Sequence, residues 1–334
     1  MSSIFFVGRQ AQRTELNRHW REVVQHRQGK IIFLTGEAGI GKSALIRQFN
    51  RDVQGNYSGV QVAYTQCDQI AGDISPYAPF VLLLNSLLEQ AASYADQNDN
   101  WFVAYTQEVG PDVLKMVPVA GGFLAAAAKS VGFIWERRHR EDEVPGQFGQ
   151  NVLFQQFADA FCKLAQNQNP LLLCIDDWHW ADTSSTSLLF HIARSLEQVP
   201  LMIIAAYRPE DARASDHPIL KVHSQIKRYN LCAELALDFL SRTEIEIYLT
   251  DRFPETNLEP EFVDQLVAIT SGNALFVTEF VNLLVQEGLL SSASRLKVDL
   301  QQLTPPPNVE AVIRSRIDHL NESAQKILAY ASVE

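Results

Sequence analysis

Two apolar runs of strand length end in signals that start a helix. Residues 30–35 read KIIFLT and pass through GEAGIGKS into the helical pattern ALIRQF. Residues 170–177 read PLLLCIDD and give way, after a short loop, to a Thr/Ser-rich helix start and SLLFHIARSL. Unbroken Ile/Leu/Val runs, without the alternation of a half-exposed strand, suit central strands buried on both faces of a parallel sheet. Further strands are predicted over 59–67 (GVQVAYTQC), 200–207 (PLMIIAAY) and 228–235 (RYNLCAEL). Parallel strands need long crossovers, so five of them with helical segments between make a doubly wound α/β domain.

After about residue 238 the pattern changes to helices alone. Ser241 with Glu244 forms an S-x-x-E capping box before IEIYLTDRF, residues 259–271 follow at helical spacing, and 274–287 makes a third helix stopped by Gly288. A loop with Pro305, Pro306 and Pro307 leads to 308–320 and to a last amphipathic stretch, ESAQKILAYASVE. Nothing after that stretch covers its apolar face, so the chain reads as the front part of something longer.

The 334 residues are 46% hydrophobic and 20% charged, which excludes a disordered or collagen-like chain and suggests two or three domains with their own cores. The net charge of −11 argues against a general nucleic-acid surface, because binding to phosphate backbones needs clustered Lys and Arg. The one basic run, Arg137, Arg138, His139 and Arg140, is followed at once by Glu141, Asp142 and Glu143 and reads as a solvated face. Cys67, Cys162, Cys174 and Cys232 have no zinc spacing and read as buried thiols in a reducing compartment. The N-terminus has no signal-peptide stretch, so a cytoplasmic location is expected. Residues 117–135 are apolar, but Lys129 interrupts them and Gly121, Gly122 and Gly132 weaken them as a helix. The uncharged runs fall short of the roughly 20 residues a membrane span needs, so a helical hairpin packed on the domain is expected.

The chemistry begins at Gly36, Gly41, Lys42 and Ser43, a G-x-x-x-x-G-K-S placed between a strand and a helix. Glycines let backbone N–H groups wrap phosphates, and the dipole of the following helix favours the anion. The expected binding set is Gly36, Ala38, Gly39, Ile40, Gly41, Lys42, Ser43 and Ala44, with Lys42 on the β and γ oxygens and the Ser43 hydroxyl on Mg²⁺. The run LLLCI ends in Asp176 and Asp177, two acids that are costly at a buried strand end unless a cation pairs with them. Asp176 is expected to hold the magnesium and Asp177 to orient or deprotonate the attacking water. Asp177 has a second reading as a turn cap in an acidic loop. In one large branch of phosphate-loop ATPases the fourth strand inserts between the first and third, giving the order 5-1-4-3-2. Arg208, which follows IIAAY, would then face the γ-phosphate; the alternative is a surface salt bridge to Glu210 or Asp211.

FVGR at 6–9, GEAGIGKS, IDDWHWADTSS at 175–185, YRPED at 207–211 and SGNALFVTEFV at 271–281 occur in one order. In this the chain resembles the signal-transduction ATPases with numerous domains (the STAND class), AAA-related switch modules of large bacterial regulators and sensor proteins. The resemblance implies an α/β P-loop NTPase with a five-stranded parallel sheet over 1–238, carrying a helical insertion at about 96–146. A helical lid domain over 239–304 and a truncated start of a winged helix over 305–334 would follow. It implies that Val7, Gly8 and Arg9 lie against the adenine nucleotide. Ala274 stands where the family has a proline that packs on the base, and Trp178 where a smaller apolar residue is common. His179 and Trp180 match the family's H-W and are expected to pack.

The implied cofactors are ATP or ADP with Mg²⁺, and the implied function is a regulatory switch with slow hydrolysis governing conformation or assembly. The implied partners are output or sensor domains beyond this chain and, in the ATP state, further copies of it. Neither membrane nor direct DNA contact is expected of this segment. Two alternatives stay open: a non-hydrolysing nucleotide-bound scaffold, and a DNA-associated AAA ATPase of the origin-binding type.

Overall fold

All five apolar runs are strands of one sheet: β1 Lys30–Thr35, β2 Gln61–Gln66, β3 Leu171–Asp176, β4 Leu201–Tyr207 and β5 Cys232–Ala236. The computed structural model describes residues 8–68, 76–94, 147–166, 169–256 and 259–290, then 306, 309, 310, 313, 314, 317 and 322–331. Val7, the 96–146 insertion with the hairpin expected over 117–135, and 14 of the 30 residues of 305–334 lie outside the described residues. Every neighbouring pair is parallel, in the order β2-β3-β4-β1-β5, which is the order expected. Residues of β3 and β4 are buried throughout, as unbroken apolar runs require, whereas β5 at the edge buries only Leu235. One boundary differs from the sequence reading. β5 starts at Cys232, because Arg228 closes the preceding helix and Asn230 takes a left-handed φ of +55° before the chain can extend.

Alternate strand residues, Ile31 and Phe33, Leu171, Leu173 and Ile175, Leu201, Ile203 and Ala205, belong to one core. It is filled by α3 Ala78–Tyr94, α4 Gln147–Gln166, α5 Thr183–Arg194 and α7 Ile219–Arg228, through Phe80, Leu84, Phe157, Phe161, Leu188 and Ile226 among others. Each such Leu or Phe contributes about 1.5–3 kcal/mol by leaving water. Trp178 is fully buried in the same core; its ring meets Phe80 edge-on and its Nε1–H donates to Thr186 Oγ1 at 3.2 Å. The remaining helices around the sheet are α1 Gln10–His26, α2 Lys42–Asn56 and α6 Pro209–Ala214.

The chain divides into two compact units: Gln12–Thr35 with Ile46–Ala236, and Met1–Ala11 with Gly36–Leu45 and Leu237–Glu334. The second unit therefore contains the phosphate loop together with α8 Arg242–Arg252, α9 Pro260–Thr270, α10 Ala274–Gln286 and α11 Glu322–Ala331. Its core is Ile245, Leu249, Phe262, Leu266, Val277, Phe280 and Leu284. The capping box read from the sequence opens α8: Ser241 Oγ accepts from Glu244 N–H, and the Glu244 carboxylate accepts from Ser241 N–H at 2.9 Å. Among the described residues no helix is long and apolar enough to cross a membrane.

Candidate functional site

Between β1 and α2 the chain turns through three residues with positive φ, Gly36, Gly39 and Gly41. Lys42, Ser43 and Ala44 then open α2. The loop is fastened by its carbonyls. Lys42 Nζ donates to Gly36 O and Glu37 O, each at 2.8 Å, and Leu45 N–H donates to Gly41 O at 3.0 Å. Arg9 Nη2 donates to Ile40 O at 3.0 Å, Asn273 Nδ2 to Ala38 O at 3.1 Å, and Leu275 N–H to Gly39 O at 2.9 Å.

Gly8 and Arg9 both have positive φ, and the Arg9 N–H donates to Glu244 Oε1 at 3.2 Å. The Arg9 guanidinium thus supports the loop backbone, a role that its adenine-side reading did not include. Burial lowers the pKa of the guanidinium, and the charges of Glu244 and Asp238 oppose this. Ala274 opens α10, with its Cβ 3.7 Å from where a side chain on Gly41 would begin, so the residue read as base-contacting stands beside the phosphate loop.

In the sheet unit, Asp176 ends β3 with its side chain fully buried and in register with Gln66 of β2. Its Oδ1 accepts from Asp177 N–H at 3.0 Å and its Oδ2 from the Tyr64 hydroxyl at 3.3 Å. Burial, and next the charge of Asp176, push the Tyr64 hydroxyl up to about 12. Asp177 leaves the strand in the left-handed region, φ +51°, which swings its carboxylate to Gln66 Nε2 at 2.9 Å. Arg208 Nη2 lies 3.6 Å from the same carboxylate, and Arg208 Nη1 donates to Asp211 at 3.2 Å. His179, with no exposed side-chain surface, sets Nε2 3.4 Å from Asp211 and 3.9 Å from Asp177 and packs against the Trp180 ring. Beside this cluster Cys67 is pushed up to about 12, first by burial and then by the charges of Asp177, Asp182 and Asp176.

Arg208 and Asp177 are thus brought together within this unit, and Arg208 does make the salt bridge to Asp211 that was its alternative reading. Gln66, Tyr64 and Asn273 were missed. A polar residue ending a predicted strand was the available signal for Gln66. All four cysteines are free; Cys67 and Cys174 are buried, while Cys162 and Cys232 are only half-buried, because each keeps one side at the surface.

Among the described residues no group of three or more His, Cys, Asp or Glu could hold a metal ion unaided. Asp176 fits magnesium brought with a nucleotide, since Mg²⁺ is ordinarily held by one or two protein oxygens plus phosphates and water. The loop fits phosphate in the peptides whose Ala38 and Ile40 carbonyls are captured, because the Gly39 and Gly41 N–H groups lie on the opposite edges of those planes. Ile40 N–H is instead turned to Glu37 O at 3.4 Å.

Residues 6–204 match the family model of the AAA ATPase domain. An uncharacterized protein of Rhizobium meliloti (strain 1021) is 23% identical over 344 residues, covering 98% of this chain and 29% of that protein. The chain therefore spans less than a third of that curated relative. Among solved structures, a Walker-type ATPase of Pyrococcus abyssi aligns over 98% of this chain and 77% of its own, with a TM-score of 0.50 and 12% identity. The Orc1 protein of Aeropyrum pernix in complex with DNA aligns over 97% and 71%, with a TM-score of 0.47 and 14% identity.

Proposed function

Because this chain belongs to the AAA ATPase domain family, we propose that it is the ATP-binding switch module of a regulator of the STAND class. In this reading hydrolysis is slow and magnesium-dependent, and it is coupled to conformational change or assembly. The observation that carries it is the state of Asp177. Its carboxylate accepts from Gln66 and lies 3.6 Å from Arg208, so a group suited to activating water is already committed to a donor and a cation. These two partners hold the carboxylate in one orientation, and turning it towards an attacking water would disturb them, which favours long residence in the bound state over rapid turnover.

Lys42 would pair with the β and γ oxygens. Ser43 and Asp176 would hold magnesium, which when bound neutralises charge on the phosphates. Arg208, shared between Asp177 and Asp211, would exchange a carboxylate for the γ-phosphate and so distinguish ATP from ADP. The natural partners are adenine nucleotides, output or sensor domains outside this chain, and further copies of it in the ATP state, in the cytoplasm.

Asp177→Asn tests the reading, because it removes the base and leaves Asp176 in place. ATP affinity measured by calorimetry should stay near the wild-type value while phosphate release is lost. Hydrolysis persisting at the wild-type rate would make Asp177 structural. Equal absence of turnover in both proteins, with ATP bound, would favour the non-hydrolysing scaffold.

A further inference from the structure

We infer that Asn273 is a positioning residue for the nucleotide phosphates, holding the phosphate loop in its anion-binding form while capping α10. The inference rests on the reading that GEAGIGKS binds phosphate. Asn273 is 1% exposed and uses both ends of its amide. Its Oδ1 accepts from Leu275 N–H at 3.1 Å and Phe276 N–H at 3.4 Å, and its Nδ2 donates to Ala38 O at 3.1 Å. Those partners fix the orientation of the amide, since a flip would set oxygen against carbonyl and N–H₂ against N–H.

The next two carbonyls are captured in the same way, Gly39 O by Leu275 N–H and Ile40 O by Arg9 Nη2. In a planar trans peptide the C=O of one residue and the N–H of the next point in opposite directions. Holding the Ala38 and Ile40 carbonyls therefore aims the N–H groups of Gly39 and Gly41 the other way, as an anion cradle requires. The requirement for glycine at 39 follows from the same contact. A Cβ there would lie 2.8 Å from Asn273 Oδ1 and 3.0 Å from Leu275 Cβ, on a backbone already at φ +74°. A loop set before the ligand arrives loses less conformational freedom on binding, and that difference appears as affinity.

Asn273→Asp separates the two functions of the side chain, because aspartate caps a helix as well as asparagine but cannot donate to Ala38 O. Asn273→Ser is the second variant: its hydroxyl also caps, and it is too short to reach the loop. Nucleotide affinity is read by calorimetry, and the unfolding midpoint is read without nucleotide. ATP and ADP should both weaken roughly tenfold or more, by similar factors, from loss of a buried hydrogen bond. The nucleotide-free midpoint should fall modestly in Asn273→Ser and further in Asn273→Asp, whose buried carboxylate is set against Ala38 O, and KM for ATP should rise more than kcat falls. Wild-type affinity in both variants would overturn the inference. Lys42→Ala separates this from failure of the parent reading. If Lys42→Ala binds as tightly as wild type, the loop is not the phosphate site and both fall. If it loses binding while the Asn273 variants keep theirs, the inference alone falls.

Discussion

Arg208 faces two carboxylates, 3.2 Å from Asp211 and 3.6 Å from Asp177, and with its side chain 32% exposed it has access to a third anion. A γ-phosphate presented to it carries more charge than either carboxylate and accepts shorter, stronger bonds. Arg208→Ala should therefore weaken ATP more than ADP. A charge-assisted hydrogen bond contributes roughly 1.5–3 kcal/mol, so the ATP:ADP affinity ratio should fall about tenfold or more. Calorimetry with both nucleotides decides it; equal losses would make Arg208 a support for the fold or for the inner phosphates. At this scale the sequence was most legible where partners are close along the chain. Lys42, Ser43, Asp176 and Asp177 announce themselves because a phosphate loop and a strand-terminal acid pair are local patterns. Gln66 and Asn273 do not, since their partners Asp177 and Ala38 lie 111 and 235 residues away, and no spacing rule spans such distances.

Elements were legible wherever burial or a cap is written into adjacent residues: the buried strands, the Ser241–Glu244 box and the Gly288 stop. The start of β5 was not, because an edge strand buries too little for its pattern to stand out from the end of α7. Contacts between elements were also hidden, and one has a measurable consequence. Glu22 on α1 accepts from Lys30 Nζ at 3.0 Å, tying that helix to the first residue of β1. The bond from Lys30 lowers the Glu22 pKa from 4.5 to about 2, with burial opposing and Lys30's charge, His19 and Arg18 assisting. A carboxyl depressed on folding stabilises the fold fully above its unfolded value and loses that contribution as pH falls through the folded one. Stability of the wild type should therefore fall more steeply than that of Glu22→Gln between about 4.5 and about 2. The side chain is 37% exposed, so the difference should be small and shrink with salt. Identical urea-denaturation profiles for both proteins across that window at low salt would show that the tie does not carry linkage.

The whole molecule groups its phosphate loop, Gly36–Leu45, with the helices after Leu237 rather than with the sheet from which the loop emerges. That grouping was not readable from the chain, where loop and strand are contiguous; it arises from the Arg9, Asn273 and Leu275 contacts. In the proposed reading it ties the helical unit to phosphate occupancy. The N–H groups of Leu275 and Phe276 are bonded to Asn273 Oδ1, and Leu275 N–H also to Gly39 O, so they exchange with solvent only when this junction opens. Ligand bound to the closed form alone raises the free energy of such opening by RT ln(1 + [L]/Kd), about 2.7 kcal/mol at a hundredfold excess over Kd. Native-state hydrogen exchange should therefore slow about a hundredfold at the start of α10 when saturating ATP–Mg²⁺ is added. Lys42→Ala, which removes the bonds to Gly36 O and Glu37 O, should lose that protection along with the nucleotide. Slowing confined to the loop and α2, with the start of α10 exchanging as before, would mean that the helical unit does not sense the phosphates. The Asn273 bridge would then be a packing contact, and any output driven by nucleotide would have to leave through the sheet unit instead.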